Sequence, residues 1–267
     1  MAIKFLDVKY KDILGNLNLE INKNEITSVV GKNGSGKTTF LNLIYGLEQD
    51  FEGKITIGRK NITSNTKNKD VDAIRLKIAY LIQDYQKQLF NVTVLEDIKY
   101  GLDSIDIDKL GELLKLFGLS EEILKRCYFE LSDGEKKKVL IIKMFMRNSK
   151  VILMDDPTGG LDQKSIETLI KLLKKEKRKD KIIIIASQDF EFLIKVSDRI
   201  LIIDNKKIVI NENKQEFFCN KTNLNNCGLN MPNVLEFRQK VLNKKSVKLV
   251  YRDNINDLLK DVYRSVK

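Results

Sequence analysis

One run of eight residues places the strongest limit on what this chain can fold into. The run Gly31-Lys32-Asn33-Gly34-Ser35-Gly36-Lys37-Thr38 has the spacing G-x-x-x-x-G-K-[ST] and follows the apolar residues Ile26 to Val30. Apolar residues resume from Phe40 to Tyr45, which predicts a strand, a glycine-rich turn and a helix in that order. Glycines let backbone N–H groups turn inward around an anion, because no Cβ blocks close approach. The sequence therefore predicts a phosphate loop that binds a nucleoside triphosphate.

This loop assigns roles to its residues and predicts ATP and Mg²⁺ as cofactors. Lys37 reaches the β- and γ-phosphates, and the Thr38 hydroxyl is an oxygen ligand for Mg²⁺. The positive N-terminal end of the following helix faces the anion. The residues expected to bind ATP here are Gly31, Asn33, Gly34, Ser35, Gly36, Lys37, Thr38 and Thr39.

The composition predicts a folded globular protein in the cytoplasm. The chain has 267 residues, of which 42% are apolar, enough for one large domain or two small ones. No apolar run approaches the roughly 18 residues that span a bilayer. Lys4 and Asp7 interrupt the apolar residues near the N-terminus, so a signal-peptide core is not predicted there.

Cysteine, histidine and net charge exclude or weaken several classes of function. The cysteines Cys127, Cys219 and Cys227 have no C-x-x-C spacing, so we predict ordinary thiols. Histidine is absent from the sequence, which excludes histidine-based acid–base catalysis and histidine metal ligation. The net charge of +11 is compatible with nucleic acid, an anionic membrane surface or solvated lysine-rich helices. Mixed signs in the cluster at residues 174–179 favour solvated helices.

Short β-rich runs alternate with helical patterns, which predicts a largely parallel sheet flanked by helices. The predicted strands are Ala2 to Leu6, Ile26 to Val30, Ile78 to Ile82, Val151 to Met154, Ile182 to Ala186 and Ile200 to Ile203.

Helical patterns dominate two further stretches of the chain. Between Asp84 and Lys150 they predict an inserted helical subdomain, in which Ser120 is an N-terminal cap. Its predicted helices are Asp97 to Leu102, Asp106 to Phe117, Ser120 to Cys127 and Gly134 to Arg147. After Ile210, patterns at about Pro232 to Leu242 and Asn256 to Val262 predict a small C-terminal extension.

A second part of the nucleotide site is predicted at Val151-Ile152-Leu153-Met154-Asp155. This buried-strand pattern ends in a carboxylate, as a Walker B strand does when it delivers an aspartate to the water shell of Mg²⁺. A structural strand that ends before the turn at Asp156-Pro157 is the alternative. The phosphate loop upstream favours the functional interpretation of Asp155 as a metal ligand.

Three more motifs carry a resemblance to a known family. Leu131-Ser132-Asp133-Gly134-Glu135, Thr158-Gly159-Gly160-Leu161-Asp162 and Gln83 resemble the signature, D-loop and Q-loop of the ABC ATPase superfamily. Their order matches that family from about Ala2 to Ile210. The resemblance implies that Ser132 and Gly134 bind ATP. It also implies that Gln83 contributes to catalysis and to Mg²⁺ binding with Thr38 and Asp155.

The same resemblance implies the fold class. We expect an α/β P-loop NTPase with a RecA-like core, a β-rich N-terminal subdomain, an inserted helical subdomain and a small C-terminal helical extension. The ABC ATPase domain would cover residues 1–211, with the helical subdomain at about 84–150. Residues 212–267 would form the extension, as a dimerisation element.

A narrower resemblance concerns the residues after Gln83. Ile82 to Phe90 and Val92 to Ile98 are similar to the Q-loop region of energy-coupling factor (ECF) vitamin and metal transporters. The stretches Gln215-Glu216-Phe217-Phe218 and Gly228 to Glu236 are similar to the tail of that family. The resemblance implies a second ABC ATPase, a transmembrane coupling subunit and a substrate-binding membrane subunit as partners. It implies a peripheral location on the cytoplasmic face of the membrane, without nucleic acid or a membrane span of its own.

Three residues depart from the ABC pattern. The usual glutamate after the Walker B aspartate is Asp156, whose carboxylate is one methylene shorter. The usual switch histidine is Gln188, which can donate a hydrogen bond to a γ-phosphate but cannot titrate. Asp133 occupies a signature position that is commonly glycine. We therefore hypothesise that Asp156 and Gln188 form a slow catalytic site in an asymmetric ATPase dimer.

Two questions stay open at this stage. Tyr10 is the simplest candidate for stacking on adenine, and a rim tyrosine that packs on the sheet is the alternative. The leading functional prediction is an ATP-hydrolysing subunit of an ECF-type importer of vitamins or metal ions. The alternatives are the ATPase of a siderophore-like or other ABC importer, and a nonhydrolysing, ATP-dependent regulatory or dimerisation subunit.

Overall fold

The structure is a computed structural model that describes residues 1–219, 237, 241 and 255–266. Its strands are β1 (Ala2–Tyr10), β2 (Leu14–Asn22), β3 (Ile26–Val30), β4 (Glu52–Ile57), β5 (Lys60–Ile62), β6 (Ile78–Leu81), β7 (Val151–Asp155), β8 (Ile182–Ala186), β9 (Arg199–Asp204) and β10 (Lys207–Asn213). Its α-helices are α1 (Lys37–Tyr45), α2 (Asn68–Arg75), α3 (Val94–Lys99), α4 (Ile107–Leu116), α5 (Asp133–Met146), α6 (Gln163–Lys177), α7 (Phe190–Val196), α8 (Lys214–Cys219) and α9 (Ile255–Val266).

The larger sheet has the strand order β10-β9-β3-β8-β7-β6. Strands β9, β3, β8, β7 and β6 are parallel, and β10 pairs antiparallel with β9 at one edge. Alternate residues of β8, such as Ile183 and Ile184, belong to two separate hydrophobic clusters, one on each face of the sheet. This arrangement confirms the predicted parallel sheet and explains its consecutive apolar residues.

A smaller antiparallel sheet, with the order β2-β1-β4-β5, packs beside the larger one. Phe5 of β1 stacks on Phe40 of α1, with ring centroids 4.9 Å apart. Both rings are buried. This contact fixes helix α1, and hence the phosphate loop before it, between the two sheets.

The segment between β6 and β7 contains α3, α4 and α5, as the helical patterns predict, with three short 3-10 segments at Tyr85–Gln88, Glu121–Lys125 and Tyr128–Glu130. The helix predicted from Ser120 to Cys127 is a shorter 3-10 helix, Glu121–Lys125. Ser120 precedes a 3-10 turn and its side chain makes no capping hydrogen bond. Arg126 is extended and Cys127 forms an isolated antiparallel bridge with Thr93, so the chain leaves the helical path after one short turn.

The C-terminal part contributes to the core. Phe217 and Phe218 of α8 and Leu258 of α9 are buried in the same hydrophobic cluster as the sheet face that carries Ile183. The predicted helix at Asn256 to Val262 corresponds to α9. The prediction at Pro232 to Leu242 and the stretch Gly228 to Glu236 lie outside the described residues, apart from 237 and 241. None of the described helices is long and apolar enough to cross a bilayer.

Candidate nucleotide-binding site

The phosphate loop joins β3 to α1 with backbone angles that glycine adopts easily. Gly34 and Gly36 have φ angles of 77° and 102°, in the left-handed region. A Cβ at Gly36 would also lie 2.9 Å from Cδ2 of Leu14. Gly36 caps α1 without a side-chain hydrogen bond, so the first N–H groups of this helix are free to meet an anion.

The side chain of Lys37 folds back onto the loop. Its Nζ donates to the carbonyl oxygens of Gly31 at 2.8 Å and Lys32 at 2.9 Å. Burial lowers the pKa of Lys37, whereas the carboxylates of Asp155 and Asp156 raise it. Burial is the larger effect, so the pKa of Lys37 lies below its ordinary value.

A cleft of about 710 Å³ opens at the carboxyl ends of the parallel strands. It brings together most of the residues that the sequence assigned to the site. The predicted residues that line it are Asn33, Gly34, Gly36, Lys37, Thr38, Thr39, Gln83, Asp155, Asp156 and Gln188. Ile13, Ala186 and Ser187 also line the cleft, and no site role was predicted for them.

Gly31 and Ser35 support the loop and do not line the cleft. The Gly31 carbonyl accepts hydrogen bonds from Lys37 and from Gln188. The Ser35 hydroxyl is buried and has no hydrogen-bond partner. Gly31 and Ser35 therefore belong to the loop, although neither residue borders the cleft.

Asp155 ends β7 as a buried carboxylate. It is 4% exposed, and its Oδ2 has no hydrogen-bond partner. Burial raises the pKa of Asp155, and a hydrogen bond with Thr38 and the charges of Lys37 and Lys137 oppose that rise. A buried carboxylate oxygen without a partner, beside a threonine hydroxyl, fits a hard cation such as Mg²⁺.

Asp156 lies in the turn after β7 with a φ of 46°, which is uncommon for a residue with a side chain. Its N–H donates to the carbonyl of Ala186 at 2.8 Å, and its Oδ1 accepts from Ser187 Oγ at 3.4 Å. Its own carbonyl accepts from Nζ of Lys137 at 2.7 Å. The backbone of Asp156 is therefore held on both sides.

Gln188 reaches from the end of β8 to the phosphate loop. Its Nε2 donates to Asn33 Oδ1 at 2.7 Å and to the Gly31 carbonyl at 3.2 Å. An amide makes both contacts without a change of charge. Gln188 therefore contacts the loop at the edge of the phosphate site.

Ser132 and Gly134 lie at the start of α5 and do not line this cleft. Ser132 forms a capping box with Glu135: its hydroxyl accepts from the Glu135 N–H at 3.3 Å, and its N–H donates to Glu135 Oε2 at 2.9 Å. Asp133 is exposed, accepts from Gln86 and pairs with Lys136 at 3.6 Å. The signature residues thus lie outside the cleft that contains the phosphate loop of their own chain.

The position of Tyr10 favours the second alternative, a tyrosine that packs on the sheet. Tyr10 is 3% exposed, its hydroxyl donates to Glu48 Oε2 at 2.5 Å, and it does not line the cleft. The turn between β1 and β2 is short, so Tyr10 packs on the sheet and Ile13 borders the cleft instead. Ile13 therefore presents an apolar side chain to the cleft.

Sequence comparison identifies the family. The family model described as ABC transporter matches residues 14–159. EcfA2, the energy-coupling factor transporter ATP-binding protein of Streptococcus pyogenes serotype M3, is 29% identical over 259 residues, which cover 91% of this chain and 92% of EcfA2.

Solved structures agree with this match. A dimeric post-hydrolysis state of the ATP-binding cassette MJ0796 bound to ADP and Pi superposes with a TM-score of 0.70 at 26% identity, covering 79% of this chain and 98% of that one. The structure of cbiO1 from Clostridium perfringens, part of the ABC transporter complex cbiONQ, gives a TM-score of 0.69 at 26% identity. It covers 89% of this chain and 98% of cbiO1. With its phosphate loop, Walker B aspartate and signature helix, the chain belongs to the ABC transporter family and is an ATPase of that family.

Proposed function

We propose that this chain is the ATP-binding and ATP-hydrolysing subunit that energises an importer of the energy-coupling factor type. The proposal rests on the share of the chain that is similar to EcfA2 and to cbiO1. The match to EcfA2 covers 91% of the chain, well beyond the ABC transporter match that ends at residue 159. The superposition on cbiO1 likewise covers 89%, against 79% for the MJ0796 dimer. In this proposal residues 1–211 are the ATPase domain and 212–267 a dimerisation extension.

The phosphate loop would bind the β- and γ-phosphates of ATP through its backbone N–H groups and Lys37. Thr38, Gln83 and Asp155 would hold Mg²⁺, with phosphate oxygens as further ligands. Bound there, the ion would neutralise charge that develops on the phosphoryl group. The unpartnered Oδ2 of Asp155 supports this ligand set.

Two ATPase chains would share each nucleotide. Ser132 and Gly134 do not line the cleft of their own chain, so we propose that they complete the site of a partner ATPase. The N–H groups at the start of α5 would face the partner's γ-phosphate. A nonidentical partner with a more competent site would make the dimer asymmetric.

The site on this chain would hydrolyse ATP slowly. The shorter side chain of Asp156 and its contact with Ser187 keep the carboxylate close to β8. Gln188 is engaged with Asn33 and Gly31, and it has no titratable ring. A shift of about 1 Å in a catalytic group can cost about 10²-fold in rate. These two substitutions also support the second candidate, a nonhydrolysing regulatory subunit.

Coupling to transport would pass through the segment after Gln83. Phe90 is 54% exposed and lies near Lys143 of α5, so an exposed aromatic side chain is available for a membrane subunit. The chain would then bind at the cytoplasmic face of the membrane as a peripheral subunit. The cargo would be a vitamin or a metal ion that a separate membrane subunit selects. The aspartate at Asp133 favours, by resemblance, the siderophore-like importer as an alternative.

The double variant Asp156→Glu with Gln188→His tests the slow-site proposal. A longer carboxylate can reach the attacking water, and histidine supplies the usual contact to the γ-phosphate, so we expect ATP turnover to rise about tenfold or more. Single-turnover hydrolysis of radiolabelled ATP by the full-length chain measures the rate. Asp72→Glu with Gln49→His makes the same two chemical changes outside the cleft and should leave the rate unchanged.

A double variant in the site that hydrolyses no faster than the wild type would contradict the slow-site proposal. Turnover in the complex with the partner ATPase separates the two candidate functions. If Lys37→Ala leaves the turnover of the complex unchanged, hydrolysis at this site is unimportant. That result would favour the nonhydrolysing regulatory subunit.

A further inference from the structure

Three consecutive lysines at the start of α5 have different surroundings. Lys136 pairs with Asp133 at 3.6 Å, and Lys138 pairs with Asp162 at 2.7 Å. Lys137 lies between them and is only 3% exposed. Its ammonium contacts Asp156 in the nucleotide site of its own chain, although the first residues of the same helix do not line that site.

The contacts of Lys137 join three functional segments. Nζ donates to the carbonyl of Asp156 at 2.7 Å. The ring centroid of Tyr85, two residues after Gln83, lies 5.0 Å from Nζ. A Cβ placed on Gly159 would lie 3.8 Å from Nζ. Lys137 therefore connects α5 with the turn after β7 and with the segment after Gln83.

The residue that Lys137 contacts has a backbone that needs support. Asp156 has a φ of 46°, in the left-handed region that aspartate adopts only at a cost in free energy. The Ala186 carbonyl holds its N–H and Lys137 holds its carbonyl. Without Lys137, the Asp156 carbonyl would lose its charged donor, and the turn could relax toward a more common backbone conformation.

We propose that Lys137 is a positioning residue for ATP hydrolysis, which holds Asp156 in its left-handed conformation so that the carboxylate points into the cleft. The inference rests on the proposed catalytic role of Asp156. Lys137 does not line the cleft, so it acts on the reaction through Asp156. A side chain in this role should affect the rate of the chemical step and leave ATP affinity almost unchanged.

The test compares Lys137→Met, Lys137→Arg and Asp156→Asn in the full-length chain. Methionine fills the same space without a donor, so we expect kcat to fall about 10²-fold while KM and the Kd for ATP stay within about twofold. Arginine keeps a charged donor and should recover part of the rate. Quenched hydrolysis of radiolabelled ATP gives kcat and KM, and calorimetry gives the Kd. Lys109→Met is the matched control, because Lys109 also donates to a backbone carbonyl, that of Phe145, at 2.8 Å. Neither Lys109 nor Phe145 lines the cleft.

The outcomes distinguish a failure of the positioning role of Lys137 from a failure of the proposed catalytic role of Asp156. If Asp156→Asn lowers kcat and Lys137→Met does not, the positioning role is wrong and the proposed function stands. If Asp156→Asn itself leaves kcat unchanged, the proposed role of Asp156 is wrong, and this inference fails with it. Equal losses of ATP binding and turnover in Lys137→Met would show a general structural role and would overturn the inference. If Lys137→Met does not fold, Lys137→Gln is assayed in its place, because glutamine keeps a neutral donor. We expect this variant to lower kcat and to leave the Kd for ATP unchanged. An unchanged kcat would overturn the inference.

Discussion

We expect nucleotide binding to depend most strongly on Lys37. Its ammonium already lies among the loop carbonyls of Gly31 and Lys32, so it needs little movement to meet phosphate. We expect Lys37→Ala to weaken ATP binding about tenfold to a hundredfold, since a hydrogen bond to a charged group contributes about 1.5–3 kcal/mol. Calorimetric titration with ATP measures this loss. Lys32→Ala removes an exposed lysine from the same loop and serves as the control; equal losses in both variants would rule out a specific role for Lys37.

The sequence predicted those site residues whose position depends on local sequence, and it failed for residues whose position depends on the fold around them. The spacing of the loop led to Lys37 and Thr38, and the strand pattern led to Asp155, because local sequence determines those turns. The sequence left two alternatives open for Tyr10, because the length of the turn after β1, which only the fold shows, decides which side chain reaches the cleft. Lys137 was missed because a run of lysines is typical of a solvated surface. A signal was available: residues three, four and seven positions later, Leu140, Ile141 and Met144, are all apolar and buried.

At the scale of single elements, the cap of α5 should make a measurable contribution to stability. Ser132 accepts from the Glu135 N–H and donates to the Glu135 carboxylate. We expect Ser132→Ala to lower the free energy of unfolding by about 1 kcal/mol. Ser120→Ala is the matched control, because Ser120 also precedes a helical turn but makes no capping hydrogen bond. Urea denaturation of both variants measures the difference, and equal effects would argue against the cap.

The start of α6 should make stability depend on acid pH. Asp162 caps this helix and pairs with Lys138, and these contacts lower its pKa from 3.8 to about 2. A depressed carboxylate pKa gives stability that is present above pH 4 and is lost as the pH falls toward 2. Asp162→Asn keeps a good capping residue but does not titrate. Its stability deficit should therefore shrink between pH 4 and pH 2 in denaturation experiments; a deficit that is constant with pH would contradict the account.

The elements that sequence predicted and those it missed differ in burial. Strands β3 and β8 were predicted with their observed bounds, because they are continuous apolar runs buried on both faces. Strands β2 and β10 have polar residues at alternate positions and lie at the edges of their sheets, so their patterns are weaker. Helix α2 is short and mostly polar, and it was missed for the same reason.

At the scale of the whole molecule, the proposed site is incomplete in a single chain. The cleft contains the phosphate loop, Asp155 and Gln188, whereas Ser132 and Gly134 lie outside it. A nucleotide bound between two chains would bring these groups together. In the proposed dimer two different ATPases would supply the two halves, so this chain would serve as a partner even with slow hydrolysis at its own Asp156. The central claim is therefore that this chain works together with a second ATPase and a membrane subunit.

Affinity purification of the tagged full-length chain from detergent-solubilised native membranes tests this claim most directly, with the bound proteins identified by mass spectrometry. The account predicts recovery of a second ABC ATPase together with a multispanning membrane protein. Recovery of the chain alone, or with soluble proteins only, would contradict the transporter assignment.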